Sequence, residues 1–232
     1  MPRFVMKFAK EGYTKYVSHL DLLRVFKRAF KVTELDLKYS NGYNPHPKMG
    51  FAQPLSLGYS SIAEYLEFET ITDHTADELN EKLSSALPKD IRVLDLMAFD
   101  SEASSLAAET VACRYLISFH TDKNEAELKE DISSYMAQPE IKAMKRMKKT
   151  KSLEEVSIKE KIRKMDISLD DDNAVIDCLL DSGSQSNLSP ELVIQSFLDF
   201  THYPIKRWEI EVERTEILYS NRIQFQHIDK TP

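Results

Sequence analysis

An α+β fold made of two tandem ferredoxin-like (βαββαβ) units is the architecture this sequence predicts. Three observations lead there. The first hundred residues switch between strand and helix periodicity in the order β-α-β-(β)-β-α-β. A second run, from 111 to 219, reads β-α-β-β-α-β. Between them lies the small, polar stretch 101–109, SEASSLAAE, which reads as a linker. The predicted division is therefore 1–100, a linker at 101–110, and 111–232. A chain of 232 residues suffices for one large domain or two small ones. The halves share no detectable identity, so the duplication is one of architecture.

Arg3 to Phe8 alternates, with Phe4, Met6 and Phe8 on one face of a strand. Ser18 begins a helix, because Ser18 with Asp21 forms a capping box in which Asp replaces the usual Glu. Leu22, Val25, Phe26 and Ala29 give that helix a core face. Leu35–Tyr39 alternates as a strand. Asn41-Gly42 signals a turn, and Pro45 and Pro47 stiffen the loop around His46. Phe51–Leu57 reads as a short strand and Ile62–Ile71 as a longer one. Thr75 caps a helix to Leu87 with Leu79, Leu83 and Leu87 inward, and Ile91–Phe99 closes the half.

The second half repeats the scheme. Val111–His120 is a strand. Asn124–Met136 is a helix with Leu128, Ile132 and Tyr135 as its apolar stripe. Ile141–Lys151 is a basic segment. Met165–Leu169 and Ala174–Leu180 flank a turn at Asp170–Asn173. Ser189-Pro190-Glu191 starts a helix to Phe200. Lys206–Tyr219 reads as the last strand, with Trp208, Ile210 and Val212 on one side.

Composition is that of an ordinary globular protein, 42% hydrophobic and 30% charged. No apolar run approaches the ~20 residues of a membrane helix, and the charged, alternating start is no signal peptide. Cys113 and Cys178 lack metal spacing and read as buried reduced thiols, which points to the cytoplasm. Net charge is −7, yet it is segregated. Residues 1–60 hold ten lysines and arginines against four acids, and 142–164 hold ten against three. A local positive field is therefore expected on an acidic protein.

That field points to nucleic acid. Arg24, Arg28 and Lys31 share a helix face with Lys27 beside them, and they are candidate phosphate contacts. Tyr43, Asn44, His46 and Lys48 stand in the stiff loop, where Tyr43 can stack on a base. Lys145, Arg146, Lys148 and Lys149 extend the basic set. No spacing for a metal site, a nucleotide loop or an iron–sulfur cluster is present, so no metal and no cofactor are expected. Asp170-Asp171-Asp172 lacks the later Gly and Glu of a calcium loop. His19 and His46, with Asp21, are the candidate catalytic residues for metal-independent RNA cleavage or modification by general acid–base chemistry.

The stretches YVSHLDLLRVFKRAF and YSNGYNPHPKMGFAQPLSLG, with NLSPELVIQSF and Glu213-Arg214-Thr215, resemble the bacterial radical SAM-linked proteins, a domain of unknown function. That resemblance implies a radical SAM enzyme as partner, on a separate chain because this one carries no radical SAM part. It implies no activity. The family pattern has Phe where Tyr43 stands. The expected function is RNA binding or substrate presentation for that enzyme, in RNA modification or maturation. The alternatives are an RNA endonuclease or modifying enzyme using His19 and His46, and a protein-interaction module whose loop docks on the enzyme.

Overall fold

The computed structural model describes residues 2–100, 102–147, 150–221 and 223. It is a mixed α+β structure whose described residues divide into two compact units. Val111–Leu218 form one, and the residues before and after them form the other.

In the first unit β1 (Arg3–Lys10) is followed by α1 (His19–Val32), β2 (Met49–Phe51), β3 (Ser60–Glu69), α2 (Ala76–Ala86) and β4 (Ile91–Phe99). β1 lies between β3 and β4 and is antiparallel to both, and β2 pairs with β3 at Met49↔Phe68. The strand order is β4-β1-β3-β2. The even residues of β1 and β3 send Phe4, Met6, Phe8, Leu66 and Phe68 into one core. Leu22, Phe26, Ala29 and Phe30 of α1 and Leu79 and Leu83 of α2 complete it. Aromatic rings lock α1 down: Phe26 meets Phe8 at 5.0 Å and Phe51 at 5.7 Å, and Phe30 meets Phe68 at 4.8 Å.

Two expected strands of this unit are much shorter than their sequence suggests. Over 35–39 only the isolated pairings Leu37↔Thr70 and Tyr39↔Pro47 form. Single bonds from Ser40 to His46, Lys48 to Lys38 and Lys38 to Glu69 tie the segment in place of a continuous ladder. Of the 51–57 strand only Phe51 is paired in a strand, as the last residue of β2, and Pro54 keeps the residues after it from pairing. The 101–109 linker is more ordered than its composition implies. It contains a short helix, α3 (Leu106–Glu109), with Leu106 buried. Arg3 holds it there, donating to the carbonyls of Asp100, Ala103 and Ser104 and pairing with Glu67, which accepts from the Leu106 amide.

The second unit holds β5 (Thr110–His120), α4 (Glu125–Ala137), β6 (Lys142–Arg146), β7 (Leu153–Ser157), β8 (Ile162–Asp170), β9 (Asn173–Asp181), α5 (Pro190–Thr201) and β10 (Glu211–Tyr219). Its main strands run in the order β10-β5-β9-β8, and β6 and β7 form a separate ribbon. Leu128, Ile132 and Tyr135 face inward from α4 as the periodicity predicts. The last strand begins five residues late. Arg207–Glu209 is a 3-10 turn, held because Glu209 accepts from the Lys206 amide (2.7 Å) and Arg207 forks onto Glu191. Trp208 is consequently 78% exposed, while Ile210 and Val212 are buried. Both free cysteines are buried, and burial pushes the Cys178 thiol up to about 12, which leaves it unreactive.

Candidate nucleic-acid interface

The candidate residues of the first unit are set by the two ends of α1 and by the hairpin after it. At the start, Ser18 accepts from the Asp21 amide (3.2 Å) and its hydroxyl donates to Asp21 Oδ2 (2.7 Å). The N-cap half of the expected capping box forms, while the Asp21 carboxylate takes the Ser18 hydroxyl in place of the Ser18 amide. Arg24 Nη1 donates to Asp21 Oδ1 (2.6 Å). These hydrogen bonds, Ser18's first, hold the Asp21 carboxyl below its usual value. Asp21 thus caps the helix and anchors Arg24. His19, at the first helical position, packs its ring edge-on against Phe51 at 5.2 Å.

Past α1 the chain enters the left-handed region at Glu34 (φ 56°) and then runs extended. Residues 35–48 form a tied-down hairpin. Ser40 N donates to the His46 carbonyl (2.8 Å), Lys48 N to the Lys38 carbonyl (2.7 Å), and Lys38 N to the Glu69 carbonyl (2.9 Å). The His46 amide donates to Ser40 Oγ (3.0 Å). His46 therefore fixes the loop through its backbone, while its side chain is exposed. Tyr43 is wholly exposed, and Asn44 is exposed beside it. Gly42, at φ 135°, supplies a backbone that other residues rarely adopt.

The cations are not equivalent. Lys48 Nζ lies 3.2 Å from Glu69 Oε1, and Lys38 Nζ lies 2.9 Å from Glu69 Oε2. Partial burial raises the Glu69 carboxyl, but the hydrogen bonds from Lys38 and Lys48 outweigh it and hold it below the usual range. Lys48 is therefore already matched. Arg24 is matched by Asp21. Lys27, Arg28 and Lys31 are exposed. Lys27 and Lys31, one turn apart, line a groove of about 570 Å³ with Phe30, Glu34, Leu35, Asp36, Leu37, Tyr39 and Pro47. The structure thus brings Lys27 and Lys31 together with the proline-rich hairpin. Arg28 lies outside that lining.

Sequence reasoning misses Glu34, Asp36 and Tyr39 as groove residues. Tyr39 is 51% exposed although the alternating pattern assigns it to a strand. The signal is there in the turn chemistry immediately after it, which ends any ladder. Asp36 Oδ1 accepts from the Thr72 hydroxyl (2.9 Å) and lies 3.3 Å from His74 Nε2. Partial desolvation raises Asp36, and these two hydrogen bonds outweigh it and hold the carboxyl down.

In the second unit, Lys145 and Arg146 stand on β6, opposite Glu154 and Leu153 of β7, and Lys142 Nζ lies 2.8 Å from Glu155. The ribbon is thus less basic than its sequence suggests. Lys148 and Lys149 lie outside the described residues, as does His227. Neither His19 nor His46 shares a hydrogen bond or ion pair with the other or with Asp21 among the described residues. No cluster of three His, Cys, Asp or Glu side chains suited to a metal occurs among the described residues. No described helix is long and apolar enough to cross a membrane.

Residues 3–190 match the model of a family described as an uncharacterized protein conserved in bacteria (DUF2344). The chain belongs to that family. No curated protein matches it. Two solved structures are similar over most of the chain, each at 10% identity. One is a Cbf5-Nop10-Gar1 complex, with a TM-score of 0.49 over 92% of this chain; the match spans only 48% of that chain, about half its length. The other is an unknown protein from Galdieria sulphuraria, with a TM-score of 0.28, 94% of this chain covered and 98% of that one.

Proposed function

We propose that this protein binds single-stranded RNA through the first unit and presents it to a radical SAM enzyme on a separate chain, in RNA modification or maturation. One observation carries the RNA reading: Lys27 and Lys31 share a groove with an exposed tyrosine on a proline-stiffened hairpin. Lysines attract phosphate without regard to sequence, and an exposed aromatic ring beside them offers a base a stacking surface. The enzyme partnership rests on the motif resemblance alone. The strand orders β4-β1-β3-β2 and β10-β5-β9-β8 support reading each unit as ferredoxin-like.

The test is fluorescence titration of a short unstructured RNA over a range of salt. Affinity should fall linearly on a logarithmic plot, and Lys27→Ala/Lys31→Ala should flatten the slope by about 0.7 per lost phosphate contact. A double variant that binds with the unaltered slope contradicts the proposal.

The hairpin tip favours a second reading. Tyr43 is wholly exposed and its neighbours Asn44 and Pro45 carry no charge, which suits a docking contact with the enzyme. Co-elution with the radical SAM protein that survives nuclease and is lost in Tyr43→Ala supports it; failure to co-elute removes both this reading and the partnership. For RNA cleavage by His19 and His46 no observation speaks, since the one ring is packed on Phe51 and the other is held only through its backbone.

A further inference from the structure

We infer that the groove between α1 and the 35–47 hairpin is a guanine-nucleotide subsite within the RNA path. The inference deepens the RNA reading and rests on it. The groove carries both signs of charge. Lys27 and Lys31 come from α1, Glu34 and Asp36 from the chain that leaves it, and Phe30, Leu35 and Leu37 are the apolar part of the lining. Opposite charges in one groove normally neutralise each other. Here they do not: among the described residues Lys27, Lys31 and Glu34 make no ion pair. Among the described residues Asp36 meets Thr72 and His74 through Oδ1, and its side chain stays 35% exposed.

A ligand for such a groove carries both an anion and hydrogen-bond donors. A nucleotide has that form, and about 570 Å³ is a suitable size for one. The lysines take the phosphate, Tyr39 and the apolar lining take the plane of the base, and the carboxylates take its donors. The carboxylates also select among bases. They only accept hydrogen bonds. Guanine presents two adjacent donors on its pairing edge, the ring N–H and the exocyclic amino group. Adenine and cytosine present the amino group alone, and uracil the ring N–H alone. A uracil or cytosine also turns a carbonyl toward the carboxylates, which repels.

The experiment is calorimetric titration of the full chain with the 5′-monophosphates of guanosine, inosine, adenosine, cytidine and uridine. Guanosine monophosphate should bind tightest. Inosine monophosphate, which lacks only the exocyclic amino group, should bind about tenfold more weakly, the worth of one hydrogen bond to a charged acceptor. Asp36→Asn should erase the difference between guanosine and inosine. Because Asp36 also anchors Thr72 and His74, Glu34→Gln is the second variant, and it should reduce guanosine binding without altering the melting temperature. Lys27→Ala/Lys31→Ala should weaken all five nucleotides together. Equal binding of the five, lost in the lysine variant, overturns the guanine assignment and leaves RNA binding standing. Binding that survives the lysine variant overturns both.

Discussion

Glu69 decides how many cations the hairpin presents, because Lys38 and Lys48 both spend their charge on it. Glu69→Gln should release both lysines and steepen the salt dependence of RNA binding by up to about 1.4, two contacts at ~0.7 each. Titration of this variant beside the parent protein checks it; an unchanged slope means that these lysines do not reach the RNA. Asp21 has a different task. Its carboxyl is held low by Ser18 and then by Arg24, so its contribution to α1 is complete above the ordinary carboxylate pKa and is lost as pH falls through its lowered value. Asp21→Asn should therefore lower the urea midpoint at neutral pH and make no difference in strong acid. Asp21 as a cap is legible in the sequence, since Ser18 lies three residues before it. The pairing of Lys48 is not, because its partner is 21 residues away and depends on the β2–β3 register, which no local pattern specifies.

At the scale of elements, α1 is fixed by rings and the linker by one arginine. Phe26 packs edge-on between Phe8 and Phe51, so Phe26→Ala should cost about 3–5 kcal/mol in urea denaturation. A loss under ~1 kcal/mol would mean that the cavity collapses or that α1 is not seated as described. Glu67 accepts from the Leu106 amide and pairs with Arg3. In Glu67→Ala that amide should exchange with solvent far faster, while the amides of β1 keep their protection. The two helices of the first unit are readable because their apolar stripes and caps agree. The 35–39 strand misleads because alternation describes where side chains point, whereas a ladder also needs a partner strand in register over several residues, and here only the single pairings with Thr70 and Pro47 form. SEASSLAAE reads as a plain linker because an arginine clamp from a hundred residues earlier leaves no mark in the segment it holds.

For the whole molecule the charge pattern is the informative quantity. An acidic total of −7 coexists with cations gathered in two stretches of chain. Yet those stretches differ once side chains are placed. On the β6–β7 ribbon the glutamates of β7 face the lysines of β6, whereas on α1 Lys27 and Lys31 make no ion pair among the described residues. Summed charge cannot tell the two apart, because it ignores the acids brought near by folding. RNA should therefore be held by the first unit even though the second has the denser basic sequence. Photocrosslinking of 4-thiouridine-substituted single-stranded RNA, with the adducts mapped by peptide mass spectrometry, tests this directly. Adducts in 27–47, Tyr39 and Tyr43 foremost, are the predicted result; adducts confined to the 142–157 ribbon, or none at all, would contradict it.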